Sequence, residues 1–318
     1  MARYCVLVTD YAWPNLYLEQ EILHSAEAEL LAAPSAVTEV LVKLAPQADA
    51  IMTCWASVKE PVLRAASKCR MVARLGIGLD NIDVKLATEL GMLVTNVPDY
   101  CQTEVAEHTL ALLLSLARKT AYFHHDTMQG RYDLQAGPAL RRITGQTLGI
   151  VGLGSIGQAV ASRAQAFGLQ VLAAASRTGA SSTGPIPRLP LAELLPQCDY
   201  LSLHLPLTPE TRHLISAAQF AAMKPSAYLI NTSRGGLVDH AALAVALELG
   251  QLAGAALDVQ DPEPPELTQA PWNHPCVLVT PHAAFYSLES VLDLRRRTAS
   301  QVAAFLMGKD VPHVVNRN

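Results

Sequence analysis

Short apolar runs alternate along the chain with segments in which apolar residues recur at the spacing of an α-helix. This alternation is typical of a parallel α/β architecture, in which buried strands are connected by helices. In the first third of the chain, we predict strands at Cys5–Val8, Ala50–Met52, Met71–Arg74 and Leu93–Thr95. Further along, we predict a second series at Leu148–Val151, Val171–Ala174, Tyr200–His204, Tyr228–Asn231, Ala255–Val259 and Val277–Thr280. The two series of strands indicate two sheets.

The helical pattern predicts long helices at about residues 103–119 and 288–307, whereas residues 124–145 lack a clear period. We predict the fold class α/β, with two Rossmann-like or flavodoxin-like parallel-sheet domains and a cleft between them. Because the chain after the last strand is too short for a domain of its own, we expect it to pack on the first domain. Residues 1–98 and 288–318 then form one flavodoxin-like domain, and residues 99–287 form a second, Rossmann-like domain.

Composition excludes several classes of partner. The 318 residues carry a formal net charge of −4, which gives no basic surface for nucleic acid. The most apolar stretch, Val105–Leu116, contains Glu107 and His108 and is too short to cross a bilayer. The six cysteines show neither a CxxC pair nor metal-ligand spacing, which fits a reducing compartment. We therefore expect a cytoplasmic protein with no metal, no membrane contact and no secretory signal peptide.

A glycine-rich turn provides the first candidate site. Gly152-Leu-Gly154-Ser155-Ile156-Gly157 follows a predicted strand and begins a predicted helix, and another strand comes next. In this context Gly152 permits a tight turn, Gly154 lets the backbone approach a pyrophosphate, and Gly157 lets the helix pack closely on the strand. The first N–H groups of the helix, at Ser155 and beyond, can bind the anion. We predict a dinucleotide site.

The residues after the second strand of this domain decide which dinucleotide binds. A site for NAD(H) uses an acidic residue about 20 residues beyond the glycines to bind the adenosine ribose. Residues 173–178 contain no acid and instead offer Ser176 and Arg177, whose hydroxyl and guanidinium suit a 2′-phosphate. We predict a preference for NADP(H). The alternative is that Arg177 stacks on adenine, in which case NAD(H) also binds.

Three consecutive predicted strands each end at an ionisable residue. Arg234 is followed by two glycines and can bind a planar carboxylate with two hydrogen bonds. Glu263 lies between prolines and is placed to orient a histidine, and His282 follows Pro281. A Glu–His pair is an acid–base device, because the carboxylate favours the imidazolium. Since the carboxyl ends of parallel strands meet at one edge of a sheet, we predict that these three residues reduce a 2-oxo acid.

Five of the other histidines are interpreted as structural, and His204 and His240, near the same sheet edge, are left open. The five are His24, His108, His213, His274 and His313.

Taken together, the motifs resemble those of the D-2-hydroxyacid dehydrogenase family, the relatives of phosphoglycerate dehydrogenase. The matching runs are Arg74-Leu-Gly-Ile-Gly-Leu-Asp80-Asn-Ile-Asp83, Gly152-Leu-Gly-Ser-Ile-Gly157, Asn231-Thr-Ser-Arg234-Gly-Gly-Leu-Val-Asp239, Ala255-Ala-Leu-Asp-Val259 with Glu263-Pro264, and Thr280-Pro-His282. The resemblance implies that Arg234, Glu263 and His282 are catalytic. It also implies that residues 1–98 and 288–318 are a discontinuous, flavodoxin-like substrate-binding domain and that residues 99–287 are a dinucleotide-binding Rossmann domain. A homodimer built through the cofactor domain is implied as well.

The resemblance further implies two sets of binding residues. Substrate-carboxylate contacts are expected at Trp55, Ala56, Gly76 and Ile77. Cofactor contacts are expected at Thr103, Leu205, Pro206, Thr211, Thr232 and Asp258. Ala175 stands where members that use NAD carry Asp, which supports the prediction of NADP(H).

Within the family, the run His282-Ala-Ala-Phe285-Tyr-Ser287 is similar to the branch of C-terminal binding protein, a transcriptional corepressor. This likeness implies that Phe285 faces the substrate and that Arg74 holds a substrate carboxylate. For Trp55 and Phe285, packing in the core is the alternative, because aromatic side chains bury well in many places.

The predicted function is NAD(P)-dependent reduction of a 2-oxo acid, such as glyoxylate, hydroxypyruvate or a bulkier relative, to the D-2-hydroxy acid. One alternative is a cofactor-sensing, corepressor-like interaction protein. Within the enzymes, a phosphite or phosphoglycerate type of dehydrogenase is the other alternative. Formate oxidation is disfavoured, because that branch carries Gln where this chain has Glu263.

Overall fold

A computed structural model of the chain describes residues 2–135, 137, 139–175 and 185–317. Two compact units divide it: Met1–Tyr100 together with Ser287–Asn318, and Cys101–Tyr286. Each unit has its own sheet. The first unit contains both ends of the chain and is therefore discontinuous in sequence.

The strands of the described residues form two parallel sheets. The first unit contains β1 (Tyr4–Val8), β2 (Ala28–Ala32), β3 (Ala50–Thr53), β4 (Met71–Arg74) and β5 (Leu93–Thr95). The second contains β6 (Thr147–Val151), β7 (Gln170–Ala174), β8 (Arg188–Leu189), β9 (Tyr200–Leu203), β10 (Tyr228–Asn231), β11 (Gly254–Leu257) and β12 (Val277–Val279). Their spatial orders are β2-β1-β3-β4-β5 and β12-β11-β10-β9-β6-β7-β8. These are the flavodoxin-like order and the Rossmann order with an added strand, so the predicted fold class is confirmed.

Helices connect the strands in both units. They are α1 (Tyr17–His24), α2 (Thr38–Leu44), α3 (Glu60–Ala65), α4 (Val84–Glu89), α5 (Gln102–Arg118), α6 (Thr120–Met128), α7 (Ser155–Ala166), α8 (Leu191–Leu194), α9 (Ala217–Ala222), α10 (His240–Glu248) and α11 (Leu288–Leu306). None of them, over the residues described, is both long and apolar enough to span a membrane.

Consecutive side chains of a strand point to opposite sides of its sheet, and in both units each side is covered by an apolar cluster. On β1, Val6 and Val8 belong to one apolar cluster and Leu7 belongs to another on the opposite face. On β10, Leu229 and Ile230 divide between two clusters in the same way. This two-sided burial explains why the strands appear in the sequence as continuous apolar runs.

A buried ion pair joins the two ends of the chain within the first unit. Glu19 of α1 is fully buried, and its carboxylate accepts hydrogen bonds from Nε and Nη2 of Arg295 on α11, at 2.7 and 2.8 Å. The Arg295 guanidinium also lies over the ring of Trp13, 5.3 Å from its centroid. Such a paired buried charge holds α11 in one register against α1.

Three elements were not predicted from the sequence. The edge strand β2, Ala28-Glu-Leu-Leu-Ala, has a charged residue within its short apolar run, and β8 has only two residues. Helix α6 extends into the segment in which no period was found, and only Asp126 of its residues is buried. A helix without an apolar stripe gives no signal at the helical period.

Candidate active site

The three predicted catalytic residues lie on the loops that follow three neighbouring strands. Arg234 follows β10, Glu263 follows β11 and His282 follows β12. Since the three strands are adjacent and parallel, their carboxyl ends, and the loops that leave them, lie at one edge of the second sheet. The sheet topology therefore brings these loops together.

The Arg234 loop packs backbone to backbone against the Glu263 loop. A side chain at Gly235 would place its Cβ 2.0 Å from the carbonyl carbon of Gln260 and 2.6 Å from the amide nitrogen of Asp261. Only glycine permits this approach. The side-chain amide of Asn231 donates to the carbonyl oxygen of Arg234 at 2.8 Å, which fixes the turn at the base of the guanidinium.

His282 and Glu263 form the predicted pair. Nδ1 of His282 lies 2.9 Å from Oε2 of Glu263, and both side chains are partly exposed. The other carboxylate oxygen accepts the backbone N–H of Gln260 at 2.8 Å. The Gln260 side-chain amide in turn donates to the carbonyl oxygens of Leu257 and Thr280. With Nδ1 bonded to the carboxylate, the proton for a substrate can come from Nε2.

The turn that carries His282 is held by a buried carboxylate. His282 has φ of +53°, an unusual conformation for a residue other than glycine that costs about 1–3 kcal/mol. Asp258 compensates this strain: its carboxylate accepts the backbone N–H groups of Ala283 and Ala284 at 2.8 and 2.9 Å, and its carbonyl oxygen accepts the N–H of His282. Thr280 donates its hydroxyl to the same carboxylate at 2.6 Å. Asp258 is fully buried, and its predicted cofactor contact stays a prediction.

His108, interpreted from the sequence as structural, belongs to this network. Its Nε2 lies 3.1 Å from the Thr280 hydroxyl and 3.4 Å from the Asp258 carboxylate. Burial raises the pKa of Asp258, but hydrogen bonds from His108, Thr280 and two backbone N–H groups outweigh it, so the pKa lies below its ordinary value. Asp258 therefore remains a carboxylate, the form that these donors require.

The glycine-rich turn has the geometry of a phosphate site. Gly152 has φ of +101°, and a side chain there would lie 2.4 Å from the carbonyl oxygen of His204. A side chain at Gly157 would lie 2.2 Å from the carbonyl oxygen of Gly152, whereas a Cβ at Gly154 would meet nothing within 4 Å. Two of the glycines are thus required by protein packing, while Gly154 faces open space. This arrangement fits a dinucleotide whose pyrophosphate lies over Gly154, at the N-terminus of α7.

The other predicted cofactor residues also lie in the second unit. Ser155 and Ile156 form the first turn of α7, Thr103 is exposed at the start of α5, and Thr232 is buried after β10, with its hydroxyl 2.9 Å from that of Thr109. Leu205, Pro206 and Thr211 lie in the loop after β9, where the Thr211 hydroxyl donates to the carbonyl oxygen of Pro206. Ser176 and Arg177 lie outside the described residues.

The two histidines left open are both held neutral. Burial lowers the pKa of His204 to about 4, and its Nε2 lies 2.9 Å from the Ser202 hydroxyl. Burial also lowers the pKa of His240, whose ring packs edge-on against Trp272 at 4.5 Å. Neither is placed on the loops of the catalytic residues.

The predicted substrate residues of the first unit lie at the carboxyl edge of its own sheet. Trp55 follows β3 and is 41% exposed, whereas Ala56 is buried. Arg74 is buried at the end of β4, and its guanidinium lies so close to Gly76 that any side chain there would strike it. The carbonyl oxygen of Ile77 accepts the Asn96 side-chain amide.

One residue at this edge was missed from the sequence. Asp10 accepts hydrogen bonds from the backbone N–H groups of Trp55 and Ala56. Its position two residues beyond the apolar run of β1 was the available signal. In the second unit, Phe285 lies beside His282, with ring centroids 6.2 Å apart.

The comparison with known families agrees with this geometry. Residues 110–284 match the NAD-binding domain of D-isomer specific 2-hydroxyacid dehydrogenases. The chain belongs to the D-2-hydroxyacid dehydrogenase family. Glyoxylate reductases from Korarchaeum cryptofilum and Aeropyrum pernix are 38% and 39% identical to it, each alignment covering 88% of this chain and 86% of the relative. A solved NADPH-dependent glyoxylate/hydroxypyruvate reductase from Sinorhizobium meliloti, in complex with NADP and malonate, superposes with a TM-score of 0.85 at 28% identity, covering 99% and 97% of the two chains.

This D-2-hydroxyacid dehydrogenase is thus an oxidoreductase that binds a nicotinamide cofactor and acts on small 2-hydroxy or 2-oxo acids. The predicted enzyme class is confirmed. The likeness to the corepressor branch, the roles of individual residues and the choice between NADP and NAD stay predictions.

Proposed function

We propose that the enzyme uses NADPH to reduce a small 2-oxo acid, of the glyoxylate or hydroxypyruvate kind, to the D-2-hydroxy acid. The observation that carries the proposal is the contact between His282 Nδ1 and Glu263 Oε2, at 2.9 Å, on loops beside the Arg234 turn. A fixed imidazole–carboxylate pair beside a guanidinium is the set of groups that carbonyl reduction requires.

Each residue of the trio has a separate task. Arg234 binds the substrate carboxylate and the carbonyl oxygen, on which negative charge develops during reduction. His282 donates a proton from Nε2 to that oxygen, and Glu263 stabilises the imidazolium before the transfer. The nicotinamide, when bound, supplies a hydride to the carbonyl carbon. The geometry also serves the reverse reaction, with His282 accepting the proton from the hydroxyl.

The first unit supplies further substrate contacts in this proposal. The Gly76 and Ile77 backbone would bind the carboxylate, assisted by the buried Arg74. Trp55, exposed at the end of β3, and Phe285, beside His282, would contact the rest of the substrate.

The proposed preference for NADPH rests on the end of β7. The strand ends at Ala174, and the exposed Ala175 that follows has no carboxylate to bind a ribose diol. A carboxylate at this point would also repel a 2′-phosphate, whereas Ser176 and Arg177 attract one. The Sinorhizobium meliloti relative was solved with NADP.

We further propose a homodimer built through the second unit, in the cytoplasm. Several large apolar side chains in and after α6 are exposed: Met128 at 74%, Tyr132 at 95% and Leu134 at 81%. Exposed apolar residues this closely spaced are typical of a protein interface. The six cysteines are all free thiols, which fits a reducing compartment.

Absorbance at the nicotinamide band, followed with NADPH and with NADH against a panel of 2-oxo acids from glyoxylate to phenylpyruvate, tests the proposal. We expect turnover of the smaller acids and a kcat/KM at least about tenfold higher with NADPH, the factor that corresponds to one charged contact with the 2′-phosphate.

Two further measurements accompany the panel. Arg177→Ala should lower the preference for NADPH without changing kcat with NADH, and the mass in solution should be twice that of the 34.1 kDa chain. No turnover of any 2-oxo acid with either cofactor would refute the proposed reaction. Equal kcat/KM for the two cofactors would refute the preference alone.

A further inference from the structure

Three consecutive backbone N–H groups converge on one carboxylate at the carboxyl edge of the first sheet. Oδ2 of Asp10 accepts the N–H of Trp55 at 2.6 Å and that of Ala56 at 3.1 Å, and Oδ1 accepts the N–H of Cys54 at 2.9 Å. Successive N–H groups that converge in this way form a concave site for an anion. In this protein the chain supplies the anion itself.

The carboxylate and the loop are both held in place. Thr9, which is buried, donates its hydroxyl to Oδ1 of Asp10 at 2.7 Å. On the other side of the loop, the carbonyl oxygen of Ala56 accepts the Asn81 side-chain amide at 2.9 Å and the Thr53 hydroxyl at 3.1 Å. Strands β1 and β3 are neighbours, so Asp10 reaches the loop directly across the sheet. The position of the Trp55 backbone therefore depends on Asp10.

We propose that Asp10 is a positioning and specificity residue for the substrate. It fixes the loop of residues 54–56. Its carboxylate also accepts the hydrogen bonds of the loop N–H groups, which would otherwise bind a second anionic group of the substrate. This inference rests on the proposed function, in which Trp55 contacts the 2-oxo acid.

The order of the strands places a negative charge on one side of the Trp55 loop and a positive charge on the other. Since the sheet runs β1-β3-β4 at this point, the loops that follow place Asp10 on one side of the Trp55 loop and the Arg74–Gly76 turn on the other. In the proposed site, a 2-oxo acid whose carboxylate lies at the cationic turn would extend past the Trp55 loop toward Asp10. An uncharged end is tolerated there, whereas a phosphate or second carboxylate is repelled by Asp10 and finds the loop amides already bonded.

Asp10→Ser removes the negative charge and leaves the N–H groups of the loop available to another anion. We expect the ratio of kcat/KM for 3-phosphohydroxypyruvate to that for hydroxypyruvate to rise by about tenfold or more. We also expect KM for hydroxypyruvate to rise while kcat changes little and the Kd of NADPH is unchanged, because no residue of the second unit is altered. Asp10→Asn keeps the shape, but in either orientation of its amide the NH2 group faces backbone N–H groups of the loop, those of Trp55 and Ala56 in one and that of Cys54 in the other. It should raise KM in the same way, and it serves as the second variant if Asp10→Ser does not fold.

Asp49→Asn is the matched control. Asp49 precedes β3 at the opposite edge of the same sheet, and its carboxylate likewise accepts a backbone N–H, that of Cys5, at 2.8 Å. We expect no change in the substrate ratio or in KM for hydroxypyruvate. A ratio and KM that move no more in the Asp10 variants than in the control would overturn the inference. A wild-type enzyme that reduces neither substrate would instead refute the proposed function.

Discussion

His282→Asn is expected to lower kcat for reduction of a 2-oxo acid by about two to four orders of magnitude, the usual contribution of a positioned general acid. Asparagine is chosen because it tolerates the positive φ of this position, +53°, so the turn above Asp258 should be kept. It cannot donate a proton to an alkoxide at neutral pH. The Kd of NADPH, measured by nicotinamide fluorescence, should stay within about twofold of the wild-type value if the fold is intact.

His213→Asn is the control for this variant. His213 also has positive φ, +51°, and its side chain is exposed in the second unit. Its backbone N–H donates to the carbonyl oxygen of Gly236, in the Arg234 turn, and asparagine keeps that hydrogen bond. Its kcat should equal that of the wild type. An asparagine at 282 that retained the wild-type kcat under conditions in which chemistry limits the rate would show that another group donates the proton.

Arg234→Met is expected to lower kcat by about 10²–10³-fold, as does the loss of one group that stabilises a developing oxyanion. KM should rise in addition, because the same guanidinium binds the substrate carboxylate with two hydrogen bonds. Methionine keeps much of the length of the side chain, so Gly235 can still pack against the Gln260–Asp261 peptide. Steady-state kinetics with glyoxylate and hydroxypyruvate measure both parameters.

Arg163→Met is the corresponding control. Arg163 lies on α7 of the same unit, where its guanidinium donates to the carbonyl oxygen of Ala159 at 3.2 Å and lies 3.9 Å from the largely exposed Glu107. Such half-exposed contacts contribute little to stability. Its kinetics should match those of the wild type. If Arg234→Met changed KM alone, the guanidinium would bind the substrate without stabilising the transition state.

Much of the fold could be predicted because its strands are buried on both faces and its phosphate turn is glycine-rich. The run before Gly152 and the apolar runs ending at Arg74 and Asn231 appear in the sequence as continuous apolar segments, since parallel sheets leave no polar face. Helix α6 has no apolar stripe, so its period is invisible in the sequence. Its exposed surface, with Met128, fits an element that an interface would cover.

The catalytic trio could be predicted because each residue follows its own strand within a short motif. The supporting residues could not, because they act across long separations in sequence. His108 reaches Thr280 over 172 positions, and Asp10 reaches Trp55 over 45. No local pattern specifies which of the many Asp and His residues of an α/β chain will meet such a partner. The order of the strands in each sheet decides which of these residues meet.

The kcat of Glu263→Gln, beside the wild type, tests the central claim most directly. The glutamine can still accept the N–H of Gln260, but its amide group would then donate to His282 Nδ1, so the ring would have no carboxylate to stabilise the imidazolium that donates the proton. We therefore expect kcat to fall by about 10²-fold or more in this variant. It should stay at the wild-type value in Glu266→Gln, an exposed glutamate on the same loop. Equal kcat values for Glu263→Gln and the wild type would contradict the account.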